Sequence, residues 1–177
     1  MGETGIANNR KDDSMDDVEL LEYSGTETFD DIKREVKWQH KTITVFGKRV
    51  KQPRLTAMYG VDYTYNGTTF KGEPWSPIMS GIKKNVEELL GIDFNGAFLN
   101  LYRNGDDYIG WHSDNEPSLG KEPIIASLSF GDTRIFELKR NIDDEIIKYS
   151  LTNKSLLVMM GRTQLDWKHR IAKAKIS

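Results

Sequence analysis

The sequence predicts an α+β fold, helices first and a β core after them, on three observations. One is an amphipathic helix whose apolar stripe is Ile78, Ile82, Val86, Leu89 and Leu90. Another is a change of pattern at residue 97, beyond which short apolar runs alternate with Gly, Asp and Asn clusters. The third is size: 177 residues with 37% hydrophobic and 29% charged residues suit one soluble globule with a sizeable core.

The elements follow in order. Residues 1 to 17, with Asp12, Asp13, Asp16 and Asp17 and few apolar side chains, read as a disordered acidic tail. The remainder, 18–177, reads as one domain. Phe29, Ile32 and Val36 have the spacing of a short amphipathic helix. Ile43 and Val45 alternate with polar residues and run into Phe46-Gly47-Lys48, a strand entering a turn. Leu55 to Tyr59 and Tyr63 to Tyr65 are further strands. The helix of the 78–90 stripe stops at Gly91, a C-terminal cap. Five strands then follow: Ala97 to Tyr102, Ile124 to Phe130, Arg134 to Leu138, Glu145 to Leu151 and Leu156 to Met160. Strands at this spacing build a sandwich or barrel, and the helices support it.

Composition excludes several classes. There is no cysteine, so no disulfide and no thiolate metal site, and a reducing compartment is expected. No apolar run reaches membrane-spanning length, and Met1 to Asp17 lacks the core of a signal peptide. The reading is a soluble intracellular protein of cytoplasm or nucleus, a monomer with no membrane partner. A net charge of −2 is not that of a protein held on nucleic acid by bulk charge.

Of the three histidines, His40, His112 and His169, two stand in a chemically meaningful pattern. In His112-Ser113-Asp114 an extended backbone turns residues i and i+2 to one face, so an imidazole and a carboxylate converge on one ion. His169 follows the last strong strand and supplies a third ligand from a neighbouring strand. Two histidines and one carboxylate form the facial triad of non-heme Fe(II) oxygenases, which leaves coordination positions open.

The surrounding sequence is specific. The run Asn100-Leu-Tyr-Arg-Asn-Gly-Asp-Asp-Tyr-Ile-Gly-Trp-His-Ser-Asp-Asn-Glu-Pro-Ser-Leu-Gly120 resembles the AlkB family. So do Pro123-Ile-Ile-Ala-Ser-Leu-Ser-Phe-Gly131 and Gly161-Arg-Thr-Gln-Leu-Asp-Trp-Lys-His-Arg170. Upstream, Gln52-Pro-Arg-Leu-Thr-Ala-Met-Tyr-Gly60 and Tyr63-Thr-Tyr-Asn-Gly67 match as well. The resemblance covers roughly residues 29 to 177 and points to the eukaryotic-type branch that repairs alkylated adenine and cytosine.

The resemblance implies a double-stranded β-helix (jelly-roll) core with supporting N-terminal helices. It implies that His112, Asp114 and His169 bind Fe(II) and that Asn100 and Tyr102 hydrogen-bond 2-oxoglutarate. Arg54 and Tyr65 look like base-pocket residues, with the ring of His112 as the opposite wall. Asn115 and Glu116 resemble residues that touch the exocyclic edge of the damaged base or brace Arg54, and a carboxylate there would favour a cationic base. Phe46 falls where the duplex-repairing branch carries a wedge; a buried Phe at a strand end is the alternative. The implied reaction is oxidative demethylation of N-alkylated bases (methylated adenine N1, cytosine N3) in DNA or RNA, with release of formaldehyde. The family continues past its second histidine with an Arg-x-Asn-x-x-x-Arg strand whose first arginine meets the distal carboxylate of 2-oxoglutarate. This sequence ends at Ser177 without that strand, so the domain reads as C-terminally incomplete. A non-catalytic nucleic-acid-binding relative and an oxygenase acting on another substrate class are the alternatives.

Overall fold

The structure, a computed structural model, describes residues 16–175; most of the expected acidic tail lies outside them. Asp17 is tied down: its carbonyl accepts from Met160 N–H and its carboxylate from Arg162 N–H. It leads into β1 (Val18–Glu22).

Helix α1 (Phe29–Glu35) starts at Thr28, whose hydroxyl accepts from Asp31 N–H while Asp31 reaches back to Thr28 N–H. This reciprocal cap satisfies donors that a helix start leaves orphaned. Strands β2 (Thr42–Val45) and β3 (Lys48–Lys51) form a hairpin, β4 spans Leu55–Tyr59, and β5 (Tyr63–Tyr65) with β6 (Thr68–Phe70) forms a second hairpin. Helix α2 (Pro77–Leu90) begins at a Ser76 cap and ends at Gly91, whose φ of 67° only glycine adopts without penalty. Its buried stripe is Met79, Ile82 and Val86; Leu89, expected on that stripe, is 48% exposed. The later strands are β7 (Ala97–Leu101), β8 (Ile109–His112), β9 (Ile125–Leu128), β10 (Arg134–Arg140), β11 (Ile146–Leu151), β12 (Ser155–Met159) and, after the single turn α3 (Thr163–Asp166), β13 (Trp167–Ile171).

Two layers result, as the jelly-roll reading requires. One sheet has the order β11-β10-β13-β8. Facing it is the sheet β1-β12-β9, and β4-β7 form a separate pair. Strand β12 is buried along its whole length, and its alternation divides the core. Leu157 and Met159 pack with Phe136, Leu138, Trp167 and Ile171. Leu156 and Val158 face the other way, onto Ile32 of α1 and Met79, Ile82 and Val86 of α2. The helices thus cover the back of one sheet while the sandwich interior lies in front of it. A jelly roll has eight strands. Here, among the described strands, β7 bonds only β4 and β9 bonds only β12, and both border one cavity of about 900 Å³.

Candidate active site

The cavity holds the predicted metal ligands. His112 ends β8 and His169 lies on β13, and the register makes them direct cross-strand partners. Their rings are 4.2 Å apart. Asp114 follows two residues after His112, its carboxylate 3.8 Å from His112 Nε2 and 3.4 Å from His169 Nε2. One ligand atom from each of the three lies within 4.8 Å of the others. A bulge after His169 shifts the β13–β8 register, the kind of irregularity that re-aims side chains at barrel rims and beside active sites.

The donor set suits a divalent cation. Burial pushes the His112 imidazolium down to about 4, helped by the charge of His169, so His112 is neutral near pH 7. Its Nδ1 lies 2.8 Å from the Gly110 carbonyl; donation to that oxygen leaves the Nε2 lone pair for a metal. Burial raises the Asp114 carboxyl, but the hydrogen bond and charge of His169 outweigh it and keep the group below the usual carboxylate range. Asp114 N–H donates to Gln164 Oε1 at 2.9 Å, and Gln164 is 2% exposed. Phe136 stacks on His169, its centroid 5.2 Å away. Gln164, Phe136 and the Gly110 carbonyl hold the ligands in place, and sequence reasoning missed all three. Only the Gln in Gly161-Arg-Thr-Gln-Leu-Asp-Trp-Lys-His-Arg170 hinted at one of them.

The other expected residues cluster beside the triad. Asn100 sits on β7, and its Oδ1 accepts from Arg54 Nε at 2.7 Å. Arg54 is 5% exposed, and Tyr108 O also faces it at 3.4 Å. No carboxylate braces it among the described contacts. Burial lowers its pKa, opposed by the nearby Tyr102 and Tyr65. Tyr102 lies under the Arg134 guanidinium, 5.1 Å from ring centroid to Cζ, and burial pushes its hydroxyl up to about 12. Tyr65 meets His112 edge-on, centroids 6.1 Å apart at 72°. A base stacked between parallel walls needs about 7 Å, two aromatic contact distances, so the rings must reorient to accept one. Glu116 accepts from the Tyr63 hydroxyl at 2.8 Å and makes no described contact with Arg54, while Asn115 is exposed. Phe46 is apart from this cluster. It is fully exposed, at 101%, on the tip of the β2–β3 hairpin.

A jelly roll with two histidines and a carboxylate converging in its cavity defines an iron-dependent oxygenase scaffold. A model of the 2OG-Fe(II) oxygenase superfamily matches residues 22–177, and the chain belongs to that superfamily. Within it, the similarity is to AlkB homologues. The chain is 44% identical over 156 residues to the bovine alpha-ketoglutarate-dependent dioxygenase alkB homolog 3, covering 82% of this chain and 54% of that protein. The human protein of the same name is 44% identical over 151 residues, 79% of this chain and 53% of it. The Arabidopsis thaliana DNA oxidative demethylase ALKBH2 is 34% identical over 177 aligned residues, 82% of this chain and 56% of it. The chain thus spans about half the length of the curated relatives it matches. Among solved structures, that of OsALKBH1 superposes with a TM-score of 0.63 at 18% identity, covering 90% of this chain and 86% of that one. That likeness supports the fold.

Proposed function

We propose that this protein oxidatively demethylates N-alkylated bases, methylated adenine N1 and cytosine N3, in DNA or RNA. The observation that carries the proposal is the convergence of His112, Asp114 and His169 inside a cavity that also presents Tyr65, Arg54 and Asn100. His112, Asp114 and His169 would hold Fe(II), which with 2-oxoglutarate and O2 supplies the oxidation that lets an N-linked methyl group leave as formaldehyde. The protein's own residues do the rest. Asn100 and Tyr102 face the cavity and orient the co-substrate, and Arg54 fixes the Asn100 amide so that its oxygen is already engaged. Tyr65 offers a π face to an extruded base. Tyr63 holds the Glu116 carboxylate at the pocket rim, where a negative charge favours the cationic methylated base over its neutral parent.

The β2–β3 hairpin supports a nucleic-acid substrate. Phe46 and Gly47 have φ of 47° and 75°, the twist that a two-residue hairpin loop needs. A bulky residue at positive φ is strained, and full exposure adds a hydrophobic cost. Lys48, Arg49 and Lys51 flank it, all exposed. An aromatic tip on a cationic stem fits a wedge that enters base stacks.

The test is loss of the methyl mass from an oligonucleotide carrying one 1-methyladenine, offered single-stranded and in duplex, with His112→Ala as control. Repair that vanishes in the control supports the reading. Repair that persists in His112→Ala, or no repair on either substrate with Fe(II) bound, overturns it. Phe46→Ala should lower repair of the duplex and spare the single strand.

A further inference from the structure

The outer face of the four-stranded sheet carries chemistry that the pocket does not use. Alternation turns Phe136, Leu138, Trp167 and Ile171 into the sandwich, so Glu137, Lys139, Lys168 and Arg170 stand on the opposite side. Lys148 of β11 and Trp111 of β8 join them there. Four cations and Glu137 share this face, and Asp144 from the β10–β11 turn reaches Lys139 at 3.8 Å, in a chain whose net charge is −2. Glu137 is already engaged: it is 6% exposed, Arg170 Nε donates to it, and Lys148 Nζ lies 3.2 Å away.

Two features go against stability alone. Lys139 and Lys168 are direct cross-strand partners, and like charges in that position destabilise a sheet. Trp111 is bracketed by cations, Lys139 Nζ 4.8 Å and Arg170 Cζ 4.3 Å from its centroid. A sheet face built only for solvation would mix its signs.

We propose that this face binds the phosphodiester backbone of the nucleic-acid strand whose base occupies the pocket. The proposal rests on the nucleic-acid reading of that pocket. A polyanion complements the charge. Lys168 and Arg170, two residues apart on β13, are separated by about 6.6 Å, which makes a linear array rather than a focused anion pocket. Trp111 packs against two of the cations and fixes their positions along this line. The path is short. Trp111 and His112 are consecutive on the edge strand β8 and face opposite sides, so a strand leaving the pocket reaches Trp111 by rounding that edge.

The experiment is fluorescence anisotropy of an unmodified single-stranded oligonucleotide titrated with the full chain across a salt series. Wild type is compared with Lys148→Ala/Lys168→Ala and with Tyr65→Ala. Each lost phosphate contact lowers the log–log salt slope by about 0.7, so the lysine pair should lower it by about 1.4. The affinity lost between about 50 and 200 mM salt then shrinks by about 7-fold. Mn(II) binding stays at the wild-type value, which reports an intact fold, and Tyr65→Ala keeps the wild-type slope. An unchanged slope in the lysine variant, with wild type binding normally, overturns the face and leaves the pocket reading standing. A wild type that binds no oligonucleotide overturns both. Binding through these lysines to phosphatidylserine vesicles, with none to the oligonucleotide, also overturns it.

Discussion

Gln164 shows how a residue only hinted at in the sequence shapes the candidate metal centre. It is buried, it comes from the turn before β13, and it accepts the Asp114 N–H. Removing it strands a buried donor, so Gln164→Ala should cost about 1–3 kcal/mol by denaturant titration. It should also weaken metal binding about 10- to 100-fold, as loss of an outer-shell partner does. Wild-type Mn(II) affinity in this variant would contradict the role. Glu116 makes a sharper prediction about substrate. Glu116→Gln should reduce activity on cationic lesions more than on neutral ones, and equal losses on both would remove its electrostatic role. The candidate ligands could be named because His-x-Asp is a local pattern and its neighbouring motifs come in a fixed order. Gln164 and the Gly110 carbonyl could not, since each acts through a contact that only the folded register creates. Arg54 was expected in the pocket but its partners were not legible: among the described contacts no carboxylate hydrogen-bonds it, and its guanidinium settles on an amide and a carbonyl.

At the scale of elements, periodicity found what burial on one face imposes and missed what it does not. The helix over 77–90 and the strand at 155–159 were clear from their apolar spacing. The β3 run Lys48–Lys51 is exposed at every position, so no alternation marked it. The β8 run has Gly110 at its centre, and β1 follows an acidic segment that masked its start. Leu89 was placed on the buried stripe because the spacing allows it; it is 48% exposed, and Met79, Ile82 and Val86 make the buried stripe. The energetics follow from this packing. Leu156, fully buried between β12 and the helices, should cost about 2–5 kcal/mol on truncation to Ala, read as a fall in denaturation midpoint. Thr28→Ala should cost about 0.5–2 kcal/mol through loss of the α1 cap. If the two variants were equally stable, the helix-on-sheet layer would not be the main core.

For the whole molecule, acid stability is set by buried carboxylates that have partners. The hydrogen bonds from Arg103 hold Asp107 below its usual range, and the bond from Arg170 does the same for Glu137. A carboxyl depressed in the folded state contributes stability that is present above its unfolded value, about 3.9 for Asp and 4.3 for Glu, and lost as pH falls through the folded value. Asp107→Asn and Glu137→Gln should therefore be less stable than wild type at pH 7, and the gap should close below about pH 4. A gap that widens with acid would reverse the sign. The fold class was legible at this scale because a family resemblance runs through roughly residues 29 to 177, within the 22–177 that the superfamily match spans. The cationic outer face was not, since it depends on which strands become neighbours. The central claim is that His112, Asp114 and His169 hold one iron and leave adjacent positions for a 2-oxo acid. Anaerobic titration of Fe(II) and then 2-oxoglutarate, followed by visible absorption, tests it most directly. A charge-transfer band that saturates at one iron per chain, and is absent in Asp114→Ala and His169→Ala, is the predicted result. A wild type that binds iron without the band, or variants that keep it, would contradict the assignment.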